Sequence, residues 1–318
     1  MAVLLALLVS ILAVRVFSGS YAARLAMDLP NQRSLHNAPI PRTGGLGVAT
    51  GVACGWAVAG AALPVPVWAG AAALIGVSFL DDRYGLPAAV RFLVHGVVAA
   101  WLVLVLGVAS GWVVAAVLLM VWMTNLYNFM DGADGLAGGM AVSGFGAYAL
   151  VFAHQGMTGF SLASAVIAVA ALGFLLFNFP PARVFMGDAG SIPLGFLAAA
   201  FGLLGIVRQV WPVWFPLLVF TPFVLDATVT LARRGLRGEK IWQAHKQHYY
   251  QRLIRMGWSH RRMALVEYGL MLTSGVVAML MLRLPAIAGY AVGGLWLLLL
   301  AAGMLWTDWR WQSFTATD

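Results

Sequence analysis

Charge is the scarcest commodity in this chain. Asp, Glu, Lys and Arg make up only 9% of its 318 residues, against about a quarter in an ordinary soluble domain. So few charges cannot clothe a water-soluble surface, whereas a 62% hydrophobic content suits a chain whose solvent is lipid. Cysteine is nearly missing as well. Cys54 stands alone in an apolar run, which excludes an internal disulfide and the disulfide-scaffold class. Internal repeats, low-complexity tracts and extended linkers are also lacking, which excludes disordered and repeat architectures. What remains is an all-α integral membrane protein, a polytopic bundle reading as one domain over residues 1–318.

A membrane-crossing helix needs about 20 mainly apolar residues. Eleven segments approach that standard: 2–22, 44–63, 66–80, 88–108, 111–127, 137–153, 160–178, 191–207, 210–231, 264–282 and 286–306. The stretch 44–80 has the softest boundaries, because Pro64 and Pro66 punctuate it. The first segment has neither a basic leader nor a clear cleavage site, so it reads as a retained helix. Numbering the connections alternately, one side receives Arg24, Arg33, Arg42, Arg83, Arg91, Arg183, Arg310 and the cluster from Arg233 to Arg262; the other receives only Arg208 and Arg283. By the positive-inside rule the rich side is cytoplasmic, with the N-terminus outside and the C-terminus inside. The formal net charge of +8 therefore records loop orientation and not nucleic-acid binding.

The few acids are not scattered. Five of eleven lie in three connections assigned to the same side: LDDRYG (80–85) with Asp81 and Asp82, NFMDGADGLAGG (128–139) with Asp131 and Asp134, and VFMGDAGS (184–191) with Asp188. One isolated Asp is usually a helix cap. Five beside hydrocarbon are expensive unless a metal or another cation pairs with them. Hard divalent cations take oxygen ligands, and Mg2+ characteristically binds one or two carboxylates together with substrate phosphates. The interleaved glycines supply N–H groups that cradle phosphate. The pattern predicts Mg2+-assisted phosphoryl transfer at the membrane surface.

The basic segments complement the acids. Residues 28–47, DLPNQRSLHNAPIPRTGGLG, form a proline-broken loop with Arg33, His36 and Arg42. The long basic loop 233–263 carries His245, His248 and Arg252 at i, i+3 and i+7, which predicts one face of a short interfacial helix. Trp242, Tyr249, Leu253 and Met256 would form its apolar face. Two aligned imidazoles favour substrate contact over simple attraction to anionic headgroups. Asp226, embedded in an apolar run, is expected to pair with a cation or a backbone group. His95 is expected to be a packed, hydrogen-bonded residue, and WTDWRWQ (306–312) an interfacial aromatic belt.

Taken in order, DLPNQRSLHNAPIPRTGG, LDDRYG, NFMDGADGLAGG, NFPPARVFMGDAGS and AHKQHYYQR resemble the motifs of the polyprenyl-phosphate N-acetylhexosamine-1-phosphate transferases. That family includes phospho-MurNAc-pentapeptide transferase and the enzymes that initiate O-antigen and teichoic acid assembly. The resemblance runs from Asp28 to about His260. It implies a bundle of ten or eleven spans in the bacterial inner membrane and transfer of sugar-1-phosphate from a UDP-N-acetylhexosamine to undecaprenyl phosphate, releasing UMP. It further implies a Mg2+ or Mn2+ cofactor, with Asp188 and Asp82 as ligands, and Asp81 or Asp82 accepting a proton from the lipid phosphate. Asn128, Asp131, Asp134, Asn178, Phe185, His245, His248, Arg252 and Arg42 would contact nucleotide or substrate, with Phe185 stacking on uracil. A homodimer is compatible with it. Two departures stand out: Gly85 replaces a third acid of a DDxxD pattern, and the histidines read His-x-x-His where some members have three in a row.

Two other classes place acids in membranes. CDP-alcohol phosphatidyltransferases continue their signature with an Arg and two further acids, which DGADGLAGG lacks. Transporters put ionisable groups near the midplane of inverted repeats, and neither feature is found here.

Overall fold

The computed structural model describes residues 1–19, 26–28, 39–240, 243 and 245–315. Arg24, Arg33, His36 and Trp242 lie outside the described residues. Thirteen α-helices, one short 3-10 helix (Ser110–Trp112) and one two-residue β-pair account for the regular structure among them. In order they are α1 (Ala2–Phe17), β1 (Met27–Asp28), β2 (Ile40–Pro41), α2 (Gly44–Ala59), α3 (Val65–Tyr84), α4 (Ala88–Val105), α5 (Val113–Phe129), α6 (Leu136–His154) and α7 (Thr158–Asn178). Then follow α8 (Asp188–Val207), α9 (Trp214–Val219), α10 (Thr221–Leu236), α11 (Tyr249–Arg255), α12 (His260–Met281) and α13 (Ala286–Thr315).

Eight segments are long and apolar enough to cross a membrane, and α1 and α2 are shorter apolar helices. The all-α polytopic reading therefore stands. The segment expected as one span at 210–231 is instead two helices, α9 and α10, which meet at Phe220. Pro216 and Pro222 flank that junction, and each removes a donor from the helical ladder. Several expected ends also shift outward. α3 runs on through Asp81 and Asp82 to Tyr84, and α13 continues to Thr315.

Small residues let the helices approach closely. In α2 a Cβ at Gly47 would meet Val14, one at Gly51 would meet the Ala6 carbonyl, and one at Gly55 would meet Val166. A glycine row thus seats α2 against α1 and α7. Polar side chains fasten the same layer: Ser10 Oγ donates to the Ala170 carbonyl at 2.7 Å and Trp56 Nε1 to the Ala163 carbonyl at 3.0 Å. α8 is the most buried of the long apolar helices and packs on α2, α3 and α5; α13 is the least buried. Because α8 touches these neighbours, its first residue is brought beside the ends of α3 and α5. Far from that end, Tyr148, Trp211, Phe215 and Phe220 form an aromatic cluster where α6, α9 and the end of α8 converge.

Candidate active site

The acids from three distant stretches converge at one end of the bundle. Asp81 and Asp82 occupy the last turn of α3, Asn128 the last turn of α5, Asp131 and Asp134 the turn into α6, and Asp188 the first residue of α8. Asn128 Nδ2 donates to Asp188 Oδ1 and to Ser191 Oγ, both at 2.9 Å, tying α5 to α8. Arg91, on the first turn of α4, lies 2.6 Å from Asp81 Oδ2 and 3.9 Å from Asp188 Oδ2. The other Asp81 oxygen accepts from the Leu86 N–H at 2.7 Å. Asp82 lies within electrostatic reach of Asp188, Arg42 and Asp81 and takes a hydrogen bond from the Ala189 backbone.

Asp131 joins the same group. Burial pushes its carboxyl well above the ordinary carboxylate range; Asp188 and Asp82 push it further, and Arg42 opposes them. Four carboxylates, Asp81, Asp82, Asp131 and Asp188, therefore share two guanidiniums, Arg42 and Arg91, among the described residues. Arg42 also pairs with Asp28 at 2.9 Å. No three His, Cys, Asp or Glu side chains among the described residues close into a cage that could hold a metal by themselves. Excess carboxylate charge with oxygen donors only, and no closed cage, fits a hard cation that keeps waters and borrows phosphate ligands.

Backbone geometry sets these acids in place. Gly85, Gly135 and Gly187 all have φ between 67° and 78°, a region other L-residues rarely adopt, and each adjoins one of the three acidic segments. Gly44 and Gly45 N–H groups donate to the Phe185 and Met186 carbonyls, and the Phe185 N–H to the Pro41 carbonyl, so the 184–187 segment lies along the Arg42 segment. Gly45 and Gly190 touch so closely that a Cβ on Gly45 would strike the Gly190 Cα.

Two expected nucleotide contacts have partners within the protein. Asn178 is buried; its Oδ1 accepts from the Gly135 N–H and its Nδ2 donates to the Val184 carbonyl, both at 2.8 Å. It joins the DGADG turn to the VFMGD segment. Asp134 accepts from the Ala182 N–H at 3.0 Å and lies 3.3 Å from His260 Nδ1.

The histidine segment differs from its expected form. His245 and His248 do not share a helical face; α11 begins at Tyr249, and His248 is its N-cap. The reason is Asp226 on α10. Its carboxylate accepts from His248 Nδ1 at 3.0 Å, from the Tyr249 and Tyr250 N–H groups at 3.0 and 3.1 Å, and from Thr230 Oγ1. A carboxylate that satisfies the first N–H groups of α11 makes His248 the helix start. His248 stacks between Phe129 and Tyr250, and Tyr250 donates its hydroxyl to the Phe129 carbonyl at 3.2 Å, placing the segment against the acidic turn. Burial, with His248 and Arg234 nearby, lowers His245 to about 4, so it is neutral at physiological pH. Arg252 pairs with Asp308 at 2.8 Å and lies over the Tyr249 and Trp311 rings.

Sequence reasoning assigns no role to Arg91, Ser191, Tyr250 or Asp308. Arg91 alone carries a signal, as a cation one turn into a span behind the acid pair. His95 is, as expected, packed and bonded, with its Nδ1 3.2 Å from Asn125 Nδ2.

Known proteins share this chain's pattern. The model of glycosyl transferase family 4 matches residues 65–206, the stretch that contains all five clustered acids. A probable undecaprenyl-phosphate N-acetylglucosaminyl 1-phosphate transferase of Bacillus subtilis is 33% identical over 263 residues, covering 76% of this chain and 74% of its own. A decaprenyl-phosphate N-acetylglucosaminephosphotransferase of Mycobacterium leprae is 31% identical over 313 residues, covering 82% and 77%. A phospho-N-acetylmuramoyl-pentapeptide-transferase of Staphylococcus aureus is 34% identical over 163 residues, about half of each chain. This chain belongs to glycosyl transferase family 4, the family of the polyprenyl-phosphate hexosamine-1-phosphate transferases, and is an integral membrane enzyme.

Proposed function

We propose that the protein transfers N-acetylhexosamine 1-phosphate from a UDP-N-acetylhexosamine to undecaprenyl phosphate, releasing UMP and initiating an O-antigen or another envelope polysaccharide. The observation that carries this reading is the convergence of Asp81, Asp82, Asp131 and Asp188 with Arg42 and Arg91 at one end of an apolar bundle. A lipid phosphate and a nucleotide pyrophosphate repel each other, and a site that joins them must supply cations arranged in advance. Asp188 and Asp82 would hold Mg2+ or Mn2+, which when bound offsets phosphate charge and polarises the β-phosphoryl group. Arg91 holds Asp81 on one oxygen and the Leu86 N–H holds the other, which leaves Asp82 the better placed of the pair to accept a proton from the lipid phosphate. Arg42 faces the acids and attracts the anionic donor. Phe185 would stack on the uracil, and neutral His245 would serve as a hydrogen-bond partner rather than a charge.

The lipid phosphate oxygen attacks the β-phosphorus in line and UMP leaves, without a phospho-aspartyl intermediate. This end of the bundle is assigned to the cytoplasmic face of the bacterial inner membrane, because Arg42, Arg83, Arg91, Arg183 and Arg233 gather there while Arg208 and Arg283 mark the other end.

The test is a UMP-release screen of purified protein with undecaprenyl phosphate, Mg2+ and UDP-GlcNAc, UDP-GalNAc, UDP-QuiNAc or UDP-FucNAc. Lipid-dependent UMP release from one donor is expected. No release from any of them would overturn the reading, and a sugar-phosphorylated enzyme trapped without lipid would overturn direct displacement.

A further inference from the structure

The C-terminal helix α13 is oddly placed for a bundle member. Its membrane-length portion is the least buried of the long apolar helices, and it packs mainly on α12. Yet it is 30 residues long, which at 1.5 Å per residue makes about 45 Å, against about 30 Å for a bilayer core. Its final turns therefore project past the hydrocarbon, on the side of the acids.

That projecting end carries Asp308, whose carboxylate gathers three side chains from two other elements. Arg233 of α10 reaches both oxygens, at 2.7 and 2.6 Å. Arg252 of α11 donates to one at 2.8 Å and the Tyr249 hydroxyl to the other at 3.1 Å. Arg252 is buried, and its Nε has no partner, so Asp308 is what offsets its charge. Trp311, one turn further on, lies beneath the guanidiniums of Arg252 and Arg255, 5.8 and 4.6 Å from its ring centre. α11 is thus gripped from two sides. Asp226 holds its first N–H groups, and Asp308 and Trp311 hold its outer face. On its inner side Tyr250 reaches the Phe129 carbonyl and fills the space beside Gly132, where a Cβ would strike its hydroxyl.

We propose that α13 acts as a clamp and that Asp308 is a positioning residue, holding α11 so that the His245–Tyr250 segment stays seated on the acidic turn. This rests on the transferase reading for its kinetic consequence only; the seating itself is a matter of geometry. A loosened α11 displaces His248 and Tyr250 together, and a displacement of about 1 Å in a positioned site costs about 10²-fold in rate.

The experiment compares Asp308→Asn and Asp308→Glu with wild type in detergent, by UMP-release kinetics and by limited trypsin digestion. For Asp308→Asn we expect kcat/KM to fall by about 10²-fold, chiefly in kcat, with new cleavage after Arg252 and Arg255. Asp308→Glu should restore most of the rate and the trypsin resistance. Wild-type kinetics and digestion in Asp308→Asn would overturn the proposal, as would a kinetic loss with an unchanged digestion pattern. Should Asp308→Asn fail to fold, Tyr249→Phe deletes one bond only and should lower kcat/KM by about 3- to 10-fold; an unchanged value overturns the clamp. If wild type releases no UMP, the transferase reading fails, and the digestion pattern alone decides the clamp.

Discussion

Replacing Arg91 with Gln probes the charge balance of the site most directly. The guanidinium is 2.6 Å from Asp81 and 3.9 Å from Asp188, and it is 34% exposed. At an effective dielectric of about 20, unit charges at the longer distance attract by about 4 kcal/mol. Exposure and salt screening reduce that to about 1–2 kcal/mol. The charge-assisted bond to Asp81 is worth about 1.5–3 kcal/mol, but the Leu86 N–H keeps one Asp81 oxygen in place, so only part of it is lost from the working geometry. A net loss of about 1–2 kcal/mol corresponds to a factor of about 5–30 in turnover. The assay is UMP release at saturating polyprenyl phosphate, run at low and high ionic strength. Arg91→Gln should fall into that range at low salt and differ less from wild type at high salt, while Arg91→Lys keeps the charge and recovers part of the rate. An Arg91→Gln enzyme within about twofold of wild type at low salt, well short of that range, would refute the claim that this cation serves the acid cluster.

Other expectations follow from the same geometry. Asp188→Asn should abolish UMP release, since it removes charge from the carboxylate that Asn128 orients; wild-type turnover would contradict its assignment as a metal ligand. Phe185→Ala should raise KM for the UDP-sugar with little change in kcat, and unchanged KM and UMP inhibition would count against stacking. Gly45→Ala drives a Cβ into the backbone of Gly190, which cannot swing aside; overpacking of this kind costs about 1–3 kcal/mol, read as a lower thermal midpoint in detergent. Burial raises the Asp131 carboxyl, so in metal-free protein its contribution to stability is fully present below the ordinary Asp value and is lost as pH rises through the raised one. Added Mg2+ should therefore stabilise the protein progressively more as pH is raised above the ordinary Asp range; shifts that stay equal across the series would argue against a cation beside Asp131.

Much of this arrangement is legible in sequence because the signals are local. Apolar run lengths mark the helices, and glycines beside Asp81–Asp82, Asp134 and Asp188 mark the turns. The break at Phe220 is hidden because Pro216 and Pro222 sit among Val, Leu and Phe residues that continue on both sides, long enough together for one span. The histidine spacing misleads for a different reason. His245, His248 and Arg252 satisfy helical periodicity, but the helix start is fixed by Asp226, a tertiary partner 22 residues from His248. Asp308 is invisible as a functional group because its partners, Arg233 and Arg252, lie 75 and 56 residues away. In the sequence it is one charge in a tryptophan-rich belt.

The placement of the acids follows from a constraint that lipid imposes on backbone and charge together. Within the hydrocarbon only helices satisfy their own peptide groups, so irregular backbone able to present N–H groups and carboxylates must sit where helices end. A site built from three such ends needs helices whose ends coincide in space, and the small-residue contacts of α2, α5 and α8 provide that. Gly195 shows the cost of losing it. A Cβ there would come 2.8 Å from the Met123 carbonyl, forcing α8 away from α5 about two turns from Asp188. That separation would pull Asn128 from Asp188 and Ser191, whose bonds are both 2.9 Å long. In this protein the packing of the apolar interior and the chemistry at its charged end are thus one property of the same helices.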